Sequence, residues 1–240
     1  MTLKDKTVLV TGGARRVGRE FALAAAQIGA NVIIHHAHSP EEAQKTAGKI
    51  AALGSMAWTL ECDLSEISQT ATLIERACAI QPLYALVNSA AIFEPVTFRE
   101  TTMEQWQKHL DINLTAPFLL SQAFANKLPA GATGRIINIV DWRALRPGAD
   151  HFPYTISKAA LAAMTKSMAA ALAPDITVNG LALGAVLPPS TGGASDILKY
   201  VPAKRWANLD ELREAFQFLL QGPAYITGEI IHLDGGRHLI

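Results

Sequence analysis

The sequence contains only two cysteines, no excess of either charge and no long hydrophobic run. Cys62 and Cys78 lie sixteen positions apart, without the spacing of a metal site, so we expect two reduced thiols and no metal. The 21 basic and 21 acidic residues leave no basic tail, which argues against nucleic acid or an anionic membrane as a partner. No segment is apolar over the length of a membrane span, and the first residues lack a signal-peptide pattern. These absences predict a cytoplasmic protein.

Strand-like and helix-like segments alternate along the whole chain, as in parallel sheets with right-handed helical crossovers. Since 240 residues suit one such domain, we predict a single-domain α/β fold over 1–240. We expect a parallel sheet of about seven strands with helices on both faces. The predicted strands are 7–10, 31–35, 56–60, 83–87, 135–140, 176–181 and 229–233, and the predicted helices are 16–28, 40–53, 65–79, 103–127 (one helix or two in series), 152–173 and 210–220. The predicted N-caps are Ser39, Ser65 and either Asn208 or Asp210.

A glycine-rich segment, TGGARRVG at 11–18, lies between the first predicted strand and the first predicted helix. Glycines there let the backbone approach a pyrophosphate, whose charge the amino end of the helix favours. Many strand–helix turns need glycine for their conformation alone, so the position after the first strand is what favours a dinucleotide site. The candidate contacts in this segment are Gly12, Arg15, Arg16 and Val17.

The end of the second strand lacks the acidic residue that usually binds the ribose hydroxyls of NAD, and no carboxylate follows before Glu41. Arginine, histidine and a serine at a helix start suit a 2′-phosphate, which a carboxylate would repel. The sequence therefore favours NADPH, although the same residues are also compatible with a plain polar surface. The candidate residues are Arg15, Arg16, His36, Ala37, His38 and Ser39.

Acid–base chemistry is suggested by three residues that follow the fifth predicted strand. Tyr154 and Lys158 are four apart at the start of an alanine-rich helix, so they share one helix face. A cation held there lowers the pKa of a phenol and lets it exchange a proton. Asp141 ends the strand, where open α/β sheets place their ligands. Alone, the pattern also fits a surface tyrosine, a solvated lysine and a turn aspartate.

The longest predicted irregular segment is 184–200, with LPPSTGG at its centre. Loops of more than ~12–15 residues in a compact domain are usually functional or mobile. This segment follows the sixth strand at the same sheet edge as Asp141. It is a candidate substrate-binding loop, and an ordinary surface loop is the alternative.

Taken together, the motifs resemble the short-chain dehydrogenase/reductase family over essentially the full chain. They are TGGARRVG, Asp63-Leu64, NSAA at 88–91, Asn113 in DINLTAPF, YTISK at 154–158, VNGLALG at 178–184 and ITGEIIHLDGG. The resemblance implies a Rossmann-type doubly wound parallel sheet of about seven strands and a homotetramer. It also implies that Tyr154 donates a proton and that Lys158 holds the nicotinamide ribose and tunes the tyrosine. It also implies that Asn113 supports a proton path to Lys158 through water. The cofactor contacts that it implies are Asp63 and Leu64 at the adenine, Asn88, Ser89 and Ala90 along the cofactor, and Gly184–Val186 at the nicotinamide.

Two departures from the family pattern resemble its pteridine reductase and dihydromonapterin reductase branch. Arg16 replaces the middle glycine of the turn, and Asp141 replaces the serine thirteen residues before the tyrosine. No serine lies between Ser121 and Ser157 to take that place. The resemblance implies that Phe93 sandwiches a pterin against nicotinamide and that Arg16 bridges the cofactor phosphate and the pterin. Ala91 and His38 differ from residues common in that branch, and Phe93 also fits a core position.

Three functions follow from these residues. The first is NADPH-dependent reduction of a pterin or related C=N heterocycle, for which an Asp–Tyr pair can relay the proton. The second is carbonyl reduction, for example of a 3-oxoacyl thioester, although an ionised aspartate would repel the developing oxyanion. The third is a non-catalytic NADP(H)-binding sensor module, which the presence of Tyr154 and Lys158 disfavours. The predicted substrate-binding residues are Arg16, Phe93, Asp141 and Tyr154.

Overall fold

Seven parallel strands form one sheet in the computed structural model, which describes residues 2–188 and 197–240. The strand order is β3-β2-β1-β4-β5-β6-β7, and every neighbouring pair is parallel. The strands are β1 (Thr7–Val10), β2 (Asn31–His36), β3 (Ala57–Glu61), β4 (Leu83–Asn88), β5 (Gly134–Asp141), β6 (Ile176–Leu183) and β7 (Ile230–Leu233). The prediction of a doubly wound sheet of about seven strands is confirmed.

Helices cover both faces of the sheet. Helices α1, α2 and α7 pack with one set of strand side chains, and helices α3, α5 and α6 with the other. The helices are α1 (Arg16–Gln27), α2 (Pro40–Ala52), α3 (Ile67–Ile80), α4 (Met103–Leu110), α5 (Ala116–Lys127), α6 (Phe152–Leu172) and α7 (Leu209–Gln221). Within the described residues, none of the helices combines the length and the apolar character needed to cross a membrane.

The period of two along a strand explains why both faces are apolar. Val8 and Val10 of β1 belong to the core shared with α1 and α7, whereas Leu9 between them belongs to the opposite core. Phe21 of α1 and Phe216 of α7 are both fully buried and place their rings 4.8 Å apart. Full burial of a side chain of this size stabilises the fold by about 1.5–3 kcal/mol. Helices that cover both faces of the sheet in this way hold it as a fixed base for its loops.

The strand order reverses between β1 and β4. From this pair the chain runs outward in opposite directions, to β2 and β3 on one side and to β5, β6 and β7 on the other. Loops that leave the carboxyl ends of β1 and β4 therefore diverge and open a crevice, which is where open α/β sheets bind their ligands. The glycine-rich turn and the segment that follows Asn88 border this crevice.

Two predicted helix caps differ from the structure. Ser39 precedes α2 as predicted, but its side chain makes no capping hydrogen bond. Ser65 does not cap α3, which begins at Ile67, because its hydroxyl donates to Asp63 at 2.7 Å. The segment 103–127 contains the second of the two predicted alternatives, two helices in series: α4 and α5 are joined by a π-helical turn at Asp111–Thr115.

Candidate active site

The glycine-rich turn is held by hydrogen bonds from three strands. The Thr11 hydroxyl accepts the backbone N–H groups of Ser89 and Ala90 at 2.9 and 3.0 Å, which joins the ends of β1 and β4. Gly12 has a φ of +64°, and a Cβ there would lie 3.0 Å from the Cα of Ala90. A Cβ on Gly18 would lie 2.2 Å from the carbonyl oxygen of Gly12. Both positions therefore require glycine for the turn to fold back onto α1.

Arg16 keeps the left-handed backbone that a glycine would adopt at this position. Its φ is +50°, which costs a non-glycine residue about 1 kcal/mol. Its guanidinium donates to the carbonyl oxygen of Pro188 at 3.0 Å, where the segment after β6 begins. The side chain therefore links the glycine-rich turn to the start of the predicted substrate loop. Residues 189–196 of that loop lie outside the described residues.

His35 at the end of β2 connects two walls of the crevice, and the sequence analysis gave it no role. Its Nδ1 accepts the N–H of Gly12 at 3.1 Å, so Nε2 carries the proton and donates to the Cys62 carbonyl at 2.9 Å. Burial lowers the pKa of His35 to about 4, so the ring stays neutral at physiological pH. The neutral ring holds the glycine-rich turn beside the residues that precede Asp63.

The residues predicted to select NADPH lie together beyond His35. His36 is buried, and its Nδ1 has no hydrogen-bond partner among the residues that the structure describes. His38 is exposed and places its Nε2 3.6 Å from a carboxylate oxygen of Asp63. Hydrogen bonds from the backbone and hydroxyl of Ser65 lower the pKa of Asp63. An unpartnered buried imidazole beside a second histidine suits an anionic ligand group such as a 2′-phosphate.

Asp141 and Tyr154 are in direct contact at the other end of the crevice. Asp141 ends β5, and one carboxylate oxygen accepts the backbone N–H of Arg143 at 2.8 Å, which caps the short helical turn Trp142–Ala144. The second oxygen accepts the hydroxyl proton of Tyr154 at 3.1 Å. The aspartate thus both caps the turn and pairs with the tyrosine.

Lys158 lies below Tyr154 on α6 and is fully buried. Its ammonium group donates to the carbonyl oxygen of Ile139 at 2.7 Å and lies 5.8 Å from the centre of the Tyr154 ring. Burial lowers the pKa of Lys158 to about 8, although the charge of Asp141 opposes the shift. Burial and the Asp141 carboxylate raise the pKa of Tyr154 well above its usual value. The effects of burial and of Asp141 on the pKa of Tyr154 therefore dominate in this structure, and the tuning of the tyrosine by the Lys158 charge stays a prediction.

These shifts predict a loss of activity at alkaline pH. We expect kcat/KM to fall as pH rises through about 8, because Lys158 loses its proton while Tyr154 stays protonated. Unfolding is not the cause: between pH ~8 and ~10.4 the unfolded lysine binds more protons, so its contribution to stability rises with pH. Initial rates and melting temperatures across this range test the prediction. A profile that stays flat until the ordinary pKa of lysine would contradict it.

A cluster of aromatic and charged side chains surrounds Tyr154. Phe93 is half exposed; it stacks on His151 at 3.9 Å and meets Tyr154 edge-on at 4.6 Å. The guanidinium of Arg143 lies 5.5 Å from the Phe93 ring and donates to Asp150 at 2.9 Å. Although burial opposes both shifts, this ion pair raises the pKa of Arg143 and lowers that of Asp150 to about 2.

Asn88 and Asn113 do not line the crevice. The Asn88 side chain is buried beneath the sheet edge and donates to Asn138 at 2.8 Å. Asn113 lies in the π-helical turn, where it accepts the N–H of Ile92 and donates to the hydroxyl of Ser157 at 3.1 Å. Within the described residues no direct hydrogen bond joins Asn113 to Lys158. The predicted cofactor contact of Asn88 is thus not supported, and the water path through Asn113 stays a prediction.

The crevice is a cavity of about 1300 Å³ that runs from His38 past the glycine-rich turn to Tyr154. This volume suits a dinucleotide together with a small substrate. In bound NADPH, the glycine-rich turn would hold the pyrophosphate, and His36 and His38 would bind the 2′-phosphate. Lys158 would bind the nicotinamide ribose. Apart from Asn88 and Asn113, every predicted site residue lines it: Gly12, Arg15, Arg16, Val17, His36, Ala37, His38, Ser39, Asp63, Leu64, Ser89, Ala90, Phe93, Asp141, Tyr154, Lys158, Gly184 and Val186.

Comparison with known proteins identifies relatives over nearly the whole chain. The sequence model of the short chain dehydrogenase family matches residues 6–196. A 3-oxoacyl-[acyl-carrier-protein] reductase from Synechocystis is 31% identical over 98% of this chain and 97% of its own. The structure of FolM alternative dihydrofolate reductase 1 from Brucella suis, in complex with NADP, is 33% identical with a TM-score of 0.91, over 98% of this chain and 96% of that one. A short chain dehydrogenase from Burkholderia cenocepacia, also with NADP, is 31% identical with a TM-score of 0.91 and covers 99% of both chains.

Proposed function

The chain belongs to the short-chain dehydrogenase family and is an NADP-dependent oxidoreductase, and within that activity we propose that it reduces the C=N bond of a dihydropterin or a related heterocycle. The observation that carries the proposal is the hydrogen bond between Asp141 and Tyr154 in the crevice. A carboxylate occupies the place where a hydroxyl would favour carbonyl reduction. The same bond makes Asp141 and Tyr154 a connected proton path.

Reduction of a C=N bond needs a hydride at carbon and a proton at nitrogen. Bound NADPH supplies the hydride. Tyr154 donates the phenolic proton to the nitrogen, and Asp141 takes a proton from solvent and returns it to the phenolate. The raised pKa of Tyr154 keeps the phenol protonated until the hydride arrives. The Asp141 carboxylate also stabilises positive charge on the iminium-like nitrogen, whereas it would repel a developing oxyanion.

Aromatic and cationic side chains in the crevice support a flat heterocyclic substrate. Phe93 keeps half of its surface exposed beside Tyr154, so the Phe93 ring is available for stacking on a substrate next to the proton donor. Offset stacking of this kind adds about 0.5–1.5 kcal/mol beyond the burial of area. Arg16 reaches the same crevice from the glycine-rich turn. The similarity to the Brucella suis protein, whose name records dihydrofolate reduction, further supports a pterin ring.

Carbonyl reduction of a 3-oxoacyl thioester is the second candidate, and the similarity to the Synechocystis reductase favours it. It requires that Asp141 act without the hydrogen-bond donation of a serine hydroxyl. The sensor-module alternative lacks comparable support, because Tyr154 and Lys158 are both present and adjacent. The homotetramer and the cytoplasmic location stay predictions.

A substrate panel tests the proposal. NADPH oxidation by the wild-type protein is followed with 7,8-dihydrobiopterin, 7,8-dihydromonapterin and a 3-oxoacyl thioester, with NADH as the cofactor control. We expect turnover of the pterins with NADPH and little with the thioester. Turnover of the thioester alone would refute the pterin proposal and leave the NADP-dependent oxidoreductase in place.

A further inference from the structure

Arg237 lies at the substrate end of the crevice, on the turn that follows β7. Its guanidinium stacks on Trp142 at 4.3 Å, next to Asp141, and lines the same cavity as Phe93 and Tyr154. Arg237 belongs to none of the predicted site motifs, because it comes from the carboxyl-terminal end of the chain.

The backbone that carries Arg237 is firmly held. The Asp234 carboxylate accepts hydrogen bonds from the backbone N–H groups of Gly236 and His238 at 2.9 and 2.8 Å. It also lies 2.8 Å from Nδ1 of the His238 ring. Gly235 and Gly236 have φ values of +62° and +85°, which allow the chain to turn around this aspartate. The position of Arg237 over Trp142 is therefore set by the fold before any ligand binds.

The guanidinium of Arg237 has no hydrogen-bond or ion-pair partner within residues 2–188 and 197–240. The neighbouring carboxylates are already engaged, since Asp141 accepts from Arg143 and Tyr154, and Asp150 accepts from Arg143 and pairs with His151. Arg143 also stacks on Trp142, at 4.8 Å, so two guanidinium groups flank one indole. Partial burial and the charge of Arg143 lower the pKa of Arg237.

We propose that Arg237 binds an anionic substituent of the substrate, a carboxylate or a phosphate, while the ring to be reduced lies at Tyr154. The inference rests on the proposed pterin reductase function and deepens it. An arginine whose donors are unused, held against an aromatic ring at the rim of the crevice, is suited to bidentate binding of such a group. Because the guanidinium groups of Arg237 and Arg143 lie on the same indole, an anionic ligand would offset the repulsion between them. We therefore expect a dihydropterin with an acidic side chain to bind more tightly than a neutral one.

The test compares three substrates in the wild-type protein and in Arg237→Gln. Dihydrofolate carries carboxylates, dihydroneopterin monophosphate carries a phosphate, and dihydrobiopterin is neutral. We expect Arg237→Gln to raise KM about 10- to 100-fold for the substrate with the matching anion, with little change in kcat and none for dihydrobiopterin. The substrate that responds identifies the anion as carboxylate or phosphate. Arg237→Lys keeps the positive charge but not the two parallel N–H donors of a guanidinium, so it should retain more affinity for the anionic substrate than Arg237→Gln.

Two controls separate binding from structure. Arg146 is exposed and does not line the cavity, so Arg146→Gln should leave all three substrates unchanged. Calorimetric binding to the NADP⁺ complex gives a readout that does not depend on turnover. The ligand is folate if the carboxylate substrate responds and neopterin monophosphate if the phosphate substrate responds, and we expect the same loss in Arg237→Gln. An equal effect of Arg237→Gln on all three substrates, or no effect, would overturn the inference while the proposed function stands. A wild-type protein that reduces no pterin would overturn both.

Discussion

Tyr154→Phe is expected to lower kcat for pterin reduction about 10²- to 10⁴-fold, the range that a positioned general acid contributes. Within the part of the chain that the structure describes, the phenol is the only side-chain hydroxyl that hydrogen-bonds to Asp141, so its loss removes the proton donor. NADPH affinity should change little, because Lys158 and the glycine-rich turn keep their positions. Steady-state rates and titration of NADPH fluorescence measure the two effects separately.

The matched control is Tyr225→Phe, since Tyr225 is fully exposed and distant from the crevice. It should retain wild-type rates. Loss of one hydrogen bond to a carboxylate costs about 1.5–3 kcal/mol, which is less than the stability of ~5–15 kcal/mol of a typical domain, so Tyr154→Phe should remain folded. A Tyr154→Phe protein with wild-type kcat would contradict the assignment of Tyr154 as proton donor.

Asp141→Ser is expected to lower kcat/KM for a dihydropterin about 10²-fold or more and to raise it for a 3-oxoacyl thioester. Serine cannot return a proton to Tyr154, but its hydroxyl can donate a hydrogen bond to a developing oxyanion. The opposite signs distinguish a change in chemistry from a general loss of structure. Parallel kinetics with both substrates provide the measurement.

Asp141→Asn is the control for this change. The amide keeps the size of the side chain and can still accept the N–H of Arg143, so the turn at Trp142–Ala144 should persist. Asparagine relays no proton, so pterin reduction should fall as it does in Asp141→Ser, although its NH2 group can also donate to an oxyanion. Unchanged pterin reduction in both variants would remove Asp141 from the mechanism.

The sheet was predictable from sequence because its signals are local. Most strands are short runs rich in branched apolar residues, and the alternation of Val8, Leu9 and Val10 between two cores follows from the pleat alone. The ends of elements were less predictable, since they depend on contacts such as the hydrogen bond between Ser65 and Asp63.

The site was predictable only where its residues follow a motif. Spacing placed Tyr154 and Lys158 on one helix face, and the end of β5 brought Asp141 to them. Spacing carries no information on burial, which sets the direction of both pKa shifts. Asn88 has the right position in the chain, but its side chain points beneath the sheet edge to Asn138.

Residues that reach the site through tertiary contacts had no sequence signal. His35 is one of four neighbouring polar residues, and only the fold shows that it joins Gly12 to Cys62. Arg237 lies 95 positions from Trp142 and meets it because β7 brings the carboxyl-terminal turn back to the crevice. A charged residue after a glycine pair was visible in the sequence, but its target was not.

The measurement that tests the central claim most directly is the fate of the transferred hydride. NADPH deuterated at the reactive position of the nicotinamide is incubated with the wild-type protein and, in parallel samples, with a 7,8-dihydropterin or a 3-oxoacyl thioester. The products are examined by mass spectrometry and NMR. We predict tetrahydropterin with one deuterium on the carbon of the former C=N bond and none on nitrogen. NADPH-dependent deuterium transfer to the carbonyl carbon of a 3-oxoacyl thioester, with the dihydropterin recovered unlabelled, would contradict the account.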